Sequence, residues 1–153
     1  MSFIENMHQK AKEFQGSLVL PEGTEPRTIA AAQQIIDKGL ARSVYLIGPE
    51  AEVNAAANKA GVSLKGVEII DPSSYPKIKD YAAELYQLRK HKGMTEAQAA
   101  EEILQSLNFG SMMVHMGDVD TMVAGAENST GNVLRSAFAI IGTAPGVKTA
   151  SSC

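Results

Sequence analysis

Thr121-Met-Val-Ala-Gly-Ala-Glu-Asn-Ser-Thr-Gly-Asn-Val-Leu-Arg135 runs from an apolar segment through a polar turn into a helix-like segment. The apolar run Met122–Ala124 meets Gly125, which predicts a strand over Thr121–Gly125. The Ser-Thr-Gly turn Ser129–Gly131 then leads into a helix predicted over Asn132–Ile141, with Arg135 in its first turns. A buried strand that ends on a helix N-terminus brings backbone N–H groups, two hydroxyls and a guanidinium together. That is the chemistry needed to hold a phosphate or a carboxylate. Ser-Thr also caps helices for purely structural reasons, and an ordinary surface arginine has the same signature as Arg135.

Outward from this stretch, short β-rich runs alternate with helix-period segments. Further strands are predicted at Ser17–Leu20, Ser43–Ile47, Val67–Ile70 and Lys148–Ser152. Helices are predicted at Ser2–Phe14, Glu25–Lys38, Ala51–Ala60, Tyr75–His91 and Thr95–Leu107, with a further short helix at Phe109–Met116. Phe3, Met7, Ala11 and Phe14 share one face of the first helix. Gly39 and Gly61 stand where helices end, and Thr95-Glu-Ala-Gln98 has the spacing of a capping box. The alternation implies an α/β fold with a mainly parallel sheet and helices on both faces, a three-layer α/β/α arrangement.

The chain has 153 residues, 44% of them hydrophobic, with a net charge of −3. Its mean hydropathy is −0.08. Those values describe a globular domain, and no window approaches the ~18 apolar residues of a membrane span. The charge argues against a nucleic-acid partner. Glu5, Lys10, Lys12 and Glu13 interrupt any signal-peptide core, and a lone Cys153 cannot form an internal disulfide. A cytoplasmic location is the expectation.

Three more places carry candidate chemistry. Arg89-Lys-His-Lys92 ends a helix as a basic turn, which either complements the negative helix end in solvent or recognises a phosphorylated ligand. At Pro21-Glu-Gly-Thr-Glu-Pro-Arg27, Gly23 suits a turn, Thr24 an N-cap and Pro26 an early helical position, leaving Arg27 without a structural duty. Asp118 and Asp120 read as a solvated turn. Apart from His115 no ligand stands at usable spacing, so no metal is expected. No Gly-x-Ser-x-Gly elbow and no Gly-x-Gly-x-x-Gly after the first strand occur, which removes ordinary hydrolase and dinucleotide readings.

Four ordered segments give the chain a family resemblance. They are Leu18-Val-Leu-Pro-Glu-Gly-Thr-Glu-Pro-Arg27, Leu88-Arg-Lys-His-Lys-Gly-Met-Thr95, Val119-Asp-Thr-Met-Val-Ala-Gly-Ala-Glu-Asn-Ser-Thr130 and Leu134-Arg-Ser-Ala-Phe-Ala-Ile-Ile-Gly-Thr-Ala-Pro-Gly-Val147. From about Leu18 onward the chain resembles the phosphate acetyltransferase family, whose members move an acetyl group between coenzyme A and phosphate. The resemblance implies an acyltransferase whose partners are coenzyme A or acetyl-CoA and acetyl phosphate or phosphate. Coenzyme A is then a substrate, and no cofactor is expected. A homo-oligomer is expected for the full-length enzyme. Ser129, Thr130, Gly131 and Arg135 become the expected phosphate site, Arg89 and Lys92 the expected coenzyme A contacts, and Arg27 a weaker candidate.

The resemblance also implies a first part of a two-domain enzyme: residues 1–147 as an incomplete N-terminal α/β domain and 148–153 as the start of a strand leading into a second. In the family, the aspartate taken as general base and its Ser-Arg neighbours lie in the C-terminal half, so no catalytic residue is expected here and the chain alone is expected to be inactive. Phosphate butyryltransferases share these motifs. A non-catalytic relative, such as the C-terminal region of some malic enzymes, would instead bind an acyl-CoA or phosphorylated regulator.

Overall fold

The structure, a computed structural model, describes residues 1–149. Four parallel strands form its sheet: β1 (Ser17–Leu20), β2 (Ser43–Ile47), β3 (Glu68–Ile70) and β4 (Thr121–Met122), in the spatial order β3-β2-β1-β4. Ser17 pairs with Ser43 and Leu20 with Leu46, while Leu18 and Val19 pair with Thr121 and Met122. β1 is buried at all four positions, as a parallel strand covered on both faces should be.

The period-2 alternation of β1 and β2 divides the interior into two cores. Leu18, Leu20, Val44 and Leu46 pack with Ile29 and Ala32 of α2 (Pro26–Asp37) and with Val53 and Ala57 of α3 (Glu50–Ala60). Val19 and Ile47 point the other way. They meet Tyr81 and Leu85 of α4 (Ile78–Arg89), Ala99 of α5 (Glu96–Glu102), Phe109 and Met112 of α6 (Ser106–His115) and Ile140 of α7 (Thr130–Ile140). The three-layer arrangement follows directly from those two side-chain sets.

Several local expectations change. The helix expected at Thr95–Leu107 stops early, at Glu102, and the short helix expected at Phe109–Met116 begins early, at Ser106; at the junction the Asn108 side chain turns back and donates to the Glu102 carbonyl at 3.0 Å. Thr95 and Gln98 do form the reciprocal capping box of α5. Glu25, not Thr24, caps α2: its carboxylate accepts from the Thr28 N–H at 2.9 Å, with Pro26 following. β4 stops at Met122, and Val123 makes one more ladder bond, to the Val19 carbonyl, before the chain turns away. Of the strand expected at Lys148–Ser152, Lys148 and Thr149 are not extended into the sheet, and the remainder lies outside the described residues.

Asp118 and Asp120 stand in a turn with Asp120 exposed, as expected, and both also act as fasteners. Asp120 accepts from the backbone and hydroxyl of Ser17 at 2.7 and 2.9 Å, tying the start of β4 to the start of β1. Asp118 pairs with Lys77 at 2.6 Å and accepts from the buried Tyr81 hydroxyl. Burial pushes the Tyr81 phenol pKa up, and the bond to Asp118 adds to that. The helix α1 (Phe3–Phe14), capped by Ser2 and Glu5, buries none of its residues and leaves Phe3 and Phe14 exposed. No helix among the described residues is long and apolar enough to cross a membrane.

Candidate functional site

A sheet ordered β3-β2-β1-β4 reverses its winding direction between β1 and β4, and in open α/β sheets that crevice at the carboxyl ends is where ligands bind. The protein fills part of it with its own carboxylate. Glu22, two residues past β1 and only 4% exposed, projects into the loop that follows β4. It accepts from the backbone N–H groups of Gly125 (3.1 Å), Ala126 (2.9 Å), Glu127 (2.9 Å) and Asn128 (2.7 Å), and from the Asn128 side-chain amide at 3.0 Å. Such a run of inward N–H groups is an anion nest. Burial opposes ionisation of Glu22, but the N–H donors of Asn128, Glu127 and Ala126 outweigh it and hold the carboxyl at about 2. Gly125 has φ of +115°, a conformation that favours glycine and lets the loop wrap the carboxylate.

Gly23 makes the close approach beside this crevice. A Cβ built there would sit 2.3 Å from the Ile47 carbonyl oxygen at the end of β2. A cavity of about 330 Å³ opens above it, bordered by Gly23, Thr24, Gly48, Glu52, Ser106 and Asn128.

A second cavity of about 470 Å³ lies between α4, the α5–α6 junction and α7, and Asn128 borders it as well. Arg89 and Arg135 both line it. The helical repeat explains each placement. Tyr81 and Leu85 are the buried face of α4, and Arg89 is the next residue at that four-residue spacing. On α7, Ser136 and Ile140 are buried, with Asn132 and Arg135 one turn earlier or alongside. Leu85 and Ile140 supply apolar wall, Asn108, Asn132 and Ser136 neutral polar groups, and Glu102 a carboxylate that forms an ion pair with neither arginine. Among the described residues neither guanidinium has a carboxylate within the 4.0 Å of an ion pair. Among the described residues the Arg135 guanidinium has only Asn132 Oδ1, at 3.4 Å, and the half-buried Arg89 guanidinium has no hydrogen-bond partner.

A buried hydroxyl chain holds the cavity floor. Ser136 donates to Asn108 Oδ1 at 2.9 Å, so the 3.0 Å contact between Ser111 and Ser136 is a donation from Ser111.

The other expected site residues lie at or beyond the rim. Ser129 caps α7, its hydroxyl oxygen accepting from the Asn132 N–H at 3.3 Å. Thr130 and Gly131 are exposed in the first turn and do not line the cavity, and Asn128 has already committed its N–H to Glu22. Lys92 sits in the short 3₁₀ turn after α4, exposed and outside the cavity lining. Arg27 is turned elsewhere: it pairs with Glu25 at 2.7 Å, donates to the Ala126 carbonyl, and borders an apolar recess with Leu20 and Val123 on the α2 side of the sheet. Glu22, Asn108 and Asn132 were not legible as site residues. Gly125 was the one local signal of the nest, and nothing local pairs it with a carboxylate 103 residues away.

The family profile described as phosphate acetyl/butaryl transferase matches residues 2–153. The chain belongs to that family. A phosphate acetyltransferase of Treponema pallidum is 46% identical over 153 residues, which are all of this chain and 46% of the relative. One from Acetivibrio thermocellus is 49% identical over 152 residues, 99% of this chain and 45% of the relative. Among solved structures, the EutD phosphotransacetylase from Staphylococcus aureus superposes with a TM-score of 0.87 at 30% identity, covering 97% of this chain and 46% of that one. A phosphotransacetylase from Streptococcus pyogenes gives 0.88 at 30% identity with the same coverage. This member of the phosphate acetyl/butaryl transferase family thus spans about half the length of the curated relatives it matches.

Proposed function

We propose that the protein carrying this chain is a phosphate acetyltransferase, and that these residues form the anion-holding wall of its substrate cleft. The observation that carries this reading is the pair of arginines, Arg89 and Arg135, on one cavity and without an ion-pair partner among the described residues. Arg89 is half-buried, and an unpaired guanidinium there is costly to desolvate, so its favourable partner is an anionic ligand; Arg135 is exposed at the mouth and adds its charge to the same opening.

In the proposed reaction the coenzyme A thiol gives up its proton to a base, the sulfur–carbon bond to the acetyl group forms, and the carbon–oxygen bond to phosphate breaks. Negative charge gathers on the leaving phosphate, and fixed cations stabilise it as it develops. In this reading Arg135, with Asn132 and the Ser129–Gly131 rim, takes the phosphate, and Arg89 on the same cavity takes a phosphate of coenzyme A. The apolar wall of Leu85 and Ile140 suits a short acyl group, and the relatives named above are acetyltransferases.

Titration of the chain with inorganic phosphate, followed by amide NMR, tests the reading. Shifts should concentrate at Asn128–Arg135 and around Arg89. Arg135→Ala should weaken phosphate binding about tenfold or more, the usual worth of a charge-assisted contact. Saturating shifts that avoid both arginines would place the anion site elsewhere.

A further inference from the structure

Two clasps join β1 to β4, one at each end of the paired strands. At the amino end Asp120 holds Ser17; at the carboxyl end Glu22 holds Gly125–Asn128. They differ in what lies beyond them. Past Asp120 the chain simply enters β4. Past Asn128 it enters Ser129, the cap of α7, and then Asn132 and Arg135 on the cavity. The four N–H groups of the nest leave little freedom in the direction at which the chain reaches α7. Asn128 is itself divided between the two tasks, bonding Glu22 with its amide while bordering the cavity.

We infer that Glu22 is a positioning residue for the anion site: its carboxylate sets the course of residues 125–128 and thereby the place of Asn128 and Arg135 on the cavity. This rests on the phosphate reading of that cavity. Glu22 lies outside the lining of that 470 Å³ cavity, although it borders the smaller one beside Gly23. Its effect is carried by the loop. A glutamine at 22 keeps the size but turns an NH₂ group toward N–H donors, so at least one of them loses its acceptor and the loop must move.

The experiment compares phosphate affinity of the chain with that of Glu22→Gln, Gly125→Ala and Asp120→Ala, by amide NMR titration at one ionic strength. Gly125→Ala reaches the same loop without touching the carboxylate, since an alanine resists φ of +115° although its Cβ would meet nothing within 4 Å. Glu22→Gln and Gly125→Ala should each weaken phosphate binding by about tenfold or more, as expected when a charge-assisted contact is misplaced. Asp120→Ala removes the side-chain acceptor of the other clasp and should stay within about twofold, because the altered contact is remote from the cavity. Equal losses in all three variants would make Glu22 a merely structural clasp and overturn the inference. So would unchanged affinity in Glu22→Gln, or in Gly125→Ala if the glutamine variant does not fold. A parent chain whose amides do not respond to phosphate at all removes the cavity reading and this inference together, a result distinct from a parent that binds and variants that bind equally.

Discussion

Acid should unlock the loop after β4 by protonating Glu22, and the size of the effect follows from its surroundings. The carboxyl is held at about 2 against an ordinary value of 4.5. A group whose folded value is depressed adds stability above its unfolded value and loses it as pH falls toward the folded one. Between those limits the shift corresponds to about 3 kcal/mol at neutral pH, using ~1.4 kcal/mol per unit. At pH 3 about 1 kcal/mol of it remains by the same arithmetic. Asp118 and Asp120 also have depressed values, so acid weakens the parent through them as well. Comparison with Glu22→Gln cancels their shares. Urea unfolding of both proteins at pH 7, 5 and 3 should show the parent more stable at pH 7 by about 3 kcal/mol or more, with the gap narrowing by about 2 kcal/mol at pH 3. A gap that stays constant to within about half a kcal/mol across that range would refute the caged carboxylate, since a pH-independent difference reports only shape.

Other substitutions probe separate parts of the molecule. In the whole protein, Arg89→Ala should raise the KM for coenzyme A about tenfold or more and that for acetyl phosphate less; equal increases would reassign Arg89 to general charge. Lys92→Ala, outside the cavity lining, should leave coenzyme A affinity within about threefold, the effect of one exposed charge. Gly23→Ala should lower the urea midpoint sharply, by the equivalent of about 2 kcal/mol or more, because its Cβ would press on backbone and not on a movable side chain. Tyr81→Phe should cost about 1–2 kcal/mol in the same assay by removing the donor to Asp118, and should leave phosphate affinity unchanged.

The layers and strand positions of this protein were legible in its residues because they depend on local periodicity. Ser17–Leu20 and Ser43–Ile47 are apolar runs of strand length, and the structure places both strands at those bounds. The capping box at Thr95 and the end of α3 at Gly61, in the left-handed conformation, are likewise set by neighbours a few residues apart. Two helices were legible over Thr95–Met116, but the place of the break between α5 and α6 was not, since it depends on where the Asn108 amide turns once Ile103 and Phe109 are both buried in one core.

For the candidate site, the four motifs carried the family and named Arg89 and Arg135. That these arginines meet on one cavity, while Lys92 and Arg27 do not line it, was decided by the packing of α4 against α7 and by Arg27's bonds to Glu25 and Ala126. Periodicity tells which face of a helix is apolar; it does not tell how two helices turn those faces toward each other. The Glu22 nest depends still more on tertiary structure. Its donors and its acceptor are 103 to 106 residues apart, and they meet only because β1 and β4 pair in parallel and end together. Short-range preferences therefore determined the elements and the kinds of residue at their ends, while long-range strand pairing and helix packing decided which of those ends meet.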